Sequence, residues 1–349
     1  MPPPPTPPPI TLRRLAPTDS LETLTSLLHR AYAPQVQMGL KPLAGRQSVE
    51  QTRERAYSGE CFVATMPAPA HKDAERLVGT ILFQEVETAS FPPFFLLPGV
   101  AHFSLLAVDP DIQGAGIGGK LIDAVETRAR ELGMLELALS MAAPDVGLMK
   151  FYEKRGFRHV EPWQWPYTNY VSAIMSRPIE APGKRVSRLS ECLIRPARDD
   201  DAQGLINLIG DIWSEYPGCV LDLEVEEHDL LAIATAFTKK DGAFWVAQDP
   251  AGKIVGSSGV VPLSSPGRFE LKKLYVARSH RATGLGTRLL GWAECETRRR
   301  GGSVLELWTD TRFLDGHRFY EKHRYIKGSL TRALNDLSHT IEYHYSKRL

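Results

Sequence analysis

Two residue patterns with chemical potential stand out in this 349-residue chain, and each occurs twice. The first is a glycine loop. Gln113-Gly114-Ala115-Gly116-Ile117-Gly118-Gly119 has a counterpart 168 positions on, Arg281-Ala282-Thr283-Gly284-Leu285-Gly286-Thr287, so the shared pattern is [Gln/Arg]-x-x-Gly-x-Gly. Glycines let successive backbone N–H groups converge on an anion, and a helix starting there adds the positive end of its dipole. A diphosphate is the natural occupant. The second pattern is Phe151-Tyr152-Glu153-Lys154, matched by Phe319-Tyr320-Glu321-Lys322, with each tyrosine 39 residues beyond Gln113 or Arg281. On spacing alone, a tyrosine on an apolar helix face is more often packing than catalysis. Two other nucleotide readings fit only the first loop. Its Gly-x-Gly-x-x-Gly, with Glu136 22 residues after Gly114, has the form of a dinucleotide fingerprint, and Gly119-Lys120-Leu121 nearly ends a P-loop. The second loop has neither the third glycine nor the lysine.

Positioning these groups requires a repeated set of elements. A strand runs into each loop (Phe103–Val108, Leu271–Val276), and a helix leaves it. In the first copy that helix has apolar residues at Ile117, Leu121, Ile122, Val125 and Leu132, and it stops at Gly133 as its twin stops at Gly301. Another strand follows (Leu135–Ser140, Val304–Thr309), then the tyrosine helix and closing strands. Upstream, amphipathic helices are expected near Ser20–Tyr32 and Asp200–Trp213. Strands are expected at Glu60–Met66 and Leu77–Glu87, and at Gly242–Gln248 and Lys253–Val261. The opening Leu12-Arg13-Arg14 aligns with Leu193-Ile194-Arg195 at an offset of 181, which places 13 extra residues in the first copy. The proline-rich stretches Met66–His71 and Phe91–Gly99 are their natural hosts. The order is α+β, with a disordered proline-rich tail at 1–9, domains at 10–178 and 191–349, and a linker at 179–190.

Composition narrows the function. Lys+Arg number 42 against 41 Asp+Glu, a formal charge of +1, so no basic stripe points to nucleic acid. The longest apolar stretch, Phe94 to Val108, is interrupted by Pro98, His102 and Ser104, so no membrane span is expected. No signal-peptide pattern opens the chain. Four scattered cysteines (Cys61, Cys192, Cys219, Cys295) form no Cys-x-x-Cys pair, consistent with reduced thiols in a cytoplasmic protein and with no metal site. The Arg298-Arg299-Arg300 run closes a helix, where cations complement the dipole.

A strand ending Leu106-Ala107-Val108-Asp109-Pro110, then Gln-x-x-Gly-x-Gly, a helix, and Phe151-Tyr152-Glu153-Lys154-Arg155-Gly156-Phe157 resembles the GNAT acetyltransferase superfamily. The second copy, from Lys272-Lys273-Leu274-Tyr275-Val276 to Phe319-Tyr320-Glu321-Lys322, resembles it equally. The resemblance implies two domains, each a mixed, mostly antiparallel sheet flanked by helices, and acetyl-CoA as co-substrate. It implies that Gln113, Gly114, Ala115, Gly116, Ile117, Gly118 and Gly119 hold the pyrophosphate. Arg281, Ala282, Thr283, Gly284, Leu285, Gly286 and Thr287 do so in the second copy. Leu106, Ala107 and Val108, and Leu274, Tyr275 and Val276, line the pantetheine arm. It makes Tyr152 and Tyr320 the acids that protonate the leaving thiolate, and Glu270 and His102, 168 residues apart, the candidate bases.

The expected reaction moves acetyl to a primary amine of a small molecule or peptide, with the second copy favoured because Glu270 and Tyr320 are both present. A mycothiol-synthase-like acetylation of a cysteinyl amine, or a non-catalytic acyl-CoA-binding role, are the alternatives. Departures from the family pattern stand at Asp145 and Phe313, where an asparagine is usual, and at Arg324-Tyr325, where Gly-Phe is usual. Trp163, Trp165 and Tyr167, and Tyr216-Pro217-Gly218 with Asp222 and Glu224, are candidate acceptor-groove residues.

Overall fold

The computed structural model describes residues 9–68, 71–84, 92–97, 99–179 and 192–349. The chain divides into two compact units, Met1–Lys184 and Arg185–Leu349. Apart from Pro9 and Ile179, the tail expected at 1–9 and the linker expected at 179–190 lie outside the described residues.

The first unit runs β1 (Thr11–Arg14), α1 (Leu21–Gln37), α2 (Val49–Ala56), β2 (Glu60–Ala68), β3 (His71–Gln84), β4 (Val100–Val108), α3 (Ile117–Glu131), β5 (Glu136–Ala142), α4 (Val146–Glu153), β6 (Arg158–Trp163) and β7 (Ser172–Pro178). The second runs β8 (Leu193–Pro196), α5 (Ala202–Trp213), α6 (Ile233–Lys239), β9 (Ala243–Gln248), β10 (Ile254–Pro262), β11 (Arg268–Val276), α7 (Leu285–Arg299), β12 (Val304–Asp310), α8 (Leu314–Lys322), β13 (Ile326–Ala333) and β14 (Ile341–Arg348). Each builds a seven-stranded sheet of identical topology, β1-β2-β3-β4-β5-β7-β6 and β8-β9-β10-β11-β12-β14-β13. The only parallel pairs among the described residues are β4–β5 and β11–β12. The α+β reading and the mixed, mostly antiparallel sheets are therefore what the chain folds into.

Helix α3 buries Ile117, Leu121, Ile122, Val125 and Ala129 as one stripe against the sheet, the 3.6-residue period at work. Both α3 and α7 pack closely enough to require a glycine beneath them. A Cβ on Gly79 would come 3.0 Å from the Leu121 side chain, and one on Gly256 2.8 Å from the Leu289 side chain. Gly79 pairs with Val108 and Gly256 with Val276, so these glycines are equivalent.

The N-terminal alignment needs one correction. Arg13 holds Asp19 through two hydrogen bonds of 2.7 and 2.8 Å, and Arg195 holds Asp201 through two of 2.8 and 2.7 Å. Asp19 and Asp201 also accept the N–H of Ala16 and Arg198. Arg195 thus answers to Arg13, not Arg14, and the offset is 182 rather than 181. Adjacent arginines in the first copy hid this slip of one residue, which reverses every side chain of a strand.

Candidate active site

In each unit the parallel pair comes apart partway. The β4–β5 register runs from Val100↔Glu136 to Phe103↔Leu139, although β4 continues to Val108. The β11–β12 register ends at Glu270↔Glu306, although β11 continues to Val276. Just past each parting lies a bulge. Thr80 pairs with Ala107 but Leu82 with Ser104, and Ser257 pairs with Tyr275 but Gly259 with Lys272. Leu105 (φ 51°) and Lys273 (φ 53°), 168 positions apart, take the left-handed conformation there. A non-glycine residue in that region costs about 1–2 kcal/mol, so strain at matched sites in two units marks function. The two units hold it by different means. Leu105 is buried among Leu21, Leu24 and Leu28, whereas the Lys273 ammonium is clamped by Glu227 and, at 3.2 Å, by Asp229.

A bulge leaves a strand N–H without its ladder partner and turns it away from the sheet. The two wedges open into cavities of about 210 Å³ in the first unit and 400 Å³ in the second. Tyr152 and His102 line the first, Tyr320 and Glu270 the second.

A glycine loop follows each parted strand and leads into the next helix. Gly116 (φ 77°) and Gly284 (φ 94°) precede α3 and α7 with no side-chain cap, and neither first turn holds an acid. Their first N–H groups are therefore open to an anion. Added Cβ atoms on Gly114 and Gly116 meet nothing within 4 Å, so the face above the first loop is open space. Gln113 Nε2 donates to Val108 O at 3.3 Å, and Arg281 Nε to Val276 O at 3.2 Å, each tying the loop to the end of its strand. The Arg281 guanidinium also pairs doubly with Glu215, at 2.7 and 2.8 Å. The loops differ at Gly114, whose equivalent Ala282 is forced to φ 60°. Arg155 Nη2 lies 3.0 Å from where a Cβ of Gly119 would stand, which puts a cation over the start of α3.

Tyr152 is 5% exposed, its ring against Phe103, Phe151 and Phe157. Tyr320 is 8% exposed, against Phe319, Tyr325 and Tyr345. Burial pushes both phenols well above their ordinary range, so both keep their protons at neutral pH. Glu270 accepts a 2.8 Å hydrogen bond from Lys272 Nζ. His102 is 3% exposed, its ring tilted against Phe95 with centroids 4.3 Å apart, and burial pulls its pKa down to about 3. Because an unfolded histidine titrates near 6.5, the unfolded chain takes the proton first as pH falls. The stability this neutral ring contributes is present above about pH 6.5 and is lost toward pH 3, at up to ~1.4 kcal/mol per pH unit. At pH 5 the first unit should be about 2 kcal/mol less stable than at pH 7. Urea unfolding at both pH values should show that difference in the parent and not in His102→Leu. A difference that persists in the variant would place the sensitivity elsewhere.

The acceptor-groove expectations fare unevenly. Trp165 and Tyr167 line the first cavity, stacked 5.6 Å apart, with Trp165 Nε1 donating to Ser140 Oγ at 2.9 Å; Trp163 does not line it. In the second unit Tyr216 lies 4.5 Å from Phe313, which does line its cavity. Asp222 is consumed by a turn, accepting the N–H groups of Glu224 and Val225, and Glu224 is exposed. Beyond Val225, Glu226 and Glu227 reach the cavity instead. Asp145, at one departure from the family pattern, caps α4 through Leu148 N and accepts from Gln35. Arg55 and Arg155 were not singled out from the sequence. A signal for Arg55 existed, because Ser48 and Gln51 form a capping box that starts α2.

Among the described residues no cluster of three or more His, Cys, Asp or Glu could hold a metal, and no helix is long and apolar enough to cross a membrane.

Two mixed sheets, each parting beside a cavity with a buried tyrosine in its wall and each followed by a glycine turn, define a protein of the N-acetyltransferase class. The chain belongs to the acetyltransferase (GNAT) family, whose model matches residues 23–157 and 205–325, one stretch per unit. An S-(2-succino)cysteine N-acetyltransferase of Bacillus subtilis (strain 168) is 28% identical over 146 residues, 41% of this chain and 82% of that protein. An aminoalkylphosphonate N-acetyltransferase of Salmonella typhimurium is 39% identical over 56 residues, 16% of this chain and 36% of that protein. The tRNA(Met) cytidine acetyltransferase TmcA of Thermococcus sp. (strain AM4) is 29% identical over 112 residues, 32% of this chain but 13% of that protein. The chain thus spans less than two thirds of two of these three relatives. A solved GNAT-family acetyltransferase from Staphylococcus aureus Mu50 is 21% identical, with a TM-score of 0.40, covering 45% of this chain and 99% of that one.

Proposed function

We propose that the chain is an N-acetyltransferase that moves acetyl from acetyl-CoA to a primary amine by direct attack in a ternary complex. The observation that carries this reading is the pair of matched bulges at Leu105 and Lys273, each lining a cavity together with a buried tyrosine and each on a strand that runs on to a helix-start glycine loop. Bound acetyl-CoA supplies a thioester carbonyl. The loop amides at Gly114–Gly119 and Ala282–Thr287 hold its pyrophosphate, and Leu106–Val108 and Leu274–Val276 flank its arm. The N–H freed at the bulge donates to the carbonyl oxygen as negative charge gathers there. Glu270 takes the amine proton in the second unit, oriented by Lys272. As the nitrogen–carbon bond forms and the carbon–sulfur bond breaks, Tyr320, and Tyr152 in the first unit, give their protons to the sulfur. Burial keeps these phenols protonated, which is the state an acid must start from. His102 is neutral at pH 7, the form that accepts a proton, but burial lowers its pKa to about 3 and makes it a weak acceptor for an amine's proton. In the first unit the amine proton therefore leaves through water.

The relatives named for S-(2-succino)cysteine and for aminoalkylphosphonate favour a small-molecule amine as acceptor. Thiol release from acetyl-CoA, measured on the whole chain with a panel of small amines, tests the reading. Amine-dependent release is expected. If CoA binds but no amine supports release, the chain is an acyl-CoA-binding protein instead.

A further inference from the structure

The two cavities share a fold but carry opposite charge. The second is lined by six carboxylates, Glu226, Glu227, Glu270, Asp310, Asp336 and Glu342, against Lys272, Lys273 and Arg332. Among the described residues the first has no aspartate or glutamate in its lining, and Arg55 is the one arginine there. Helix α2 carries Arg55 to the cavity wall beside the hydroxyl-bearing Tyr32, Tyr167 and Tyr170. One guanidinium nitrogen, Nη1, donates to Gln47 Oε1 at 2.5 Å. Gln47 is itself 1% exposed and donates to Thr52 Oγ1 at 2.7 Å, which fixes the brace. Among the described residues the guanidinium has no carboxylate partner and no second hydrogen bond. A guanidinium has five N–H donors in a fork that matches a carboxylate or phosphonate. Arg55 is half-buried, and the described lining of the cavity offers its guanidinium no opposite charge, so an anion entering there would gain a partner that no described side chain supplies.

We propose that Arg55 anchors the acidic end of the first unit's acceptor, an amine that carries a carboxylate or phosphonate group. The aromatic wall of Phe95, Trp165 and Tyr167 packs the body of that molecule, and its amine points along the wedge toward Leu106 and Tyr152. This rests on the acetyltransferase reading, and its test separates the two.

Phenylalanine and aminoethylphosphonate are compared with phenylalaninamide as acceptors for the parent, Arg55→Gln and Arg55→Lys. In the parent, the acidic amines turn over. In Arg55→Gln their KM rises roughly 10–100-fold with kcat little changed, because a charge-assisted bidentate contact is lost. The KM for phenylalaninamide stays within about twofold, and Arg55→Lys recovers part of the loss. Equal effects on acid and amide would overturn the anchor while leaving the transferase reading intact. Equilibrium binding of N-acetylphenylalanine, which has no amine to acetylate, reports on the anchor even without turnover. It should weaken by the same factor in Arg55→Gln, and unchanged binding would overturn the proposal independently of catalysis.

Discussion

The Tyr152→Phe/Tyr320→Phe double variant releases thiol from acetyl-CoA about 10²–10⁴-fold more slowly than the parent, the usual contribution of a positioned general acid. The substitution removes one oxygen and keeps the ring. The contacts of Tyr152 with Phe103 and Phe157, and of Tyr320 with Tyr325 and Tyr345, are therefore retained. The fold and acetyl-CoA affinity should survive, so the loss appears in kcat. A free thiol has a pKa near 8.5, so the departing sulfur leaves as thiolate unless a proton reaches it. The phenols, whose pKa burial has raised, hold such a proton across the neutral range. The single variants assign the work. The tyrosine of a working unit reproduces the loss for that unit's acceptor, and the other leaves that acceptor unaffected. Parental turnover in the double variant would remove both tyrosines from the mechanism.

How far these sites could be read from sequence depended on whether residue type records the feature. The loop-to-tyrosine stretch carries glycines and a Phe-Tyr-Glu-Lys run at a constant spacing in both copies, because no insertion falls between β4 and α4 or between β11 and α8. Both cavities could be placed from it. Upstream, the copies differ in length, and on the four-residue β1 adjacent arginines could not distinguish Arg13 from Arg14 as the partner of Arg195. Only the paired aspartates Asp19 and Asp201 settle that register. The bulges left no trace, because Leu105 and Lys273 are not residues that favour a left-handed backbone. Tertiary packing in one and an ion pair in the other hold them there. Helix α2 was missed because eight mostly polar residues show little periodicity, and Arg55 went with it. The charge contrast between the cavities was invisible for the same reason: it arises from which side chains the fold turns inward, not from a near-neutral total.

The Gly116→Val/Gly284→Val double variant loses CoA affinity by about 10²-fold or more, measured by calorimetry on the full chain. Both glycines sit at positive φ, 77° and 94°, immediately before α3 and α7. A left-handed residue other than glycine costs about 1–2 kcal/mol, and β-branching makes valine worse suited still. The loop must then turn otherwise, and its N–H groups cease to converge. Two charge-assisted hydrogen bonds lost at about 1.5–3 kcal/mol each account for a fall of that size. The same strain lowers stability, by about 2–4 kcal/mol for the two sites together, so circular dichroism must show the variant folded at the temperature of the titration; at Gly116 the space around a Cβ is empty and no core contact is displaced. The single variants apportion the sites, and the two loops should not respond alike. The first keeps glycine at position 114 and has Arg155 above the helix start. The second strains Ala282 to φ 60° and ties Arg281 to Glu215. The first loop is therefore the better preorganised for a diphosphate, and Gly116→Val should remove the tighter of the two binding events. CoA binding at parental strength in the double variant would show that the cofactor is held elsewhere.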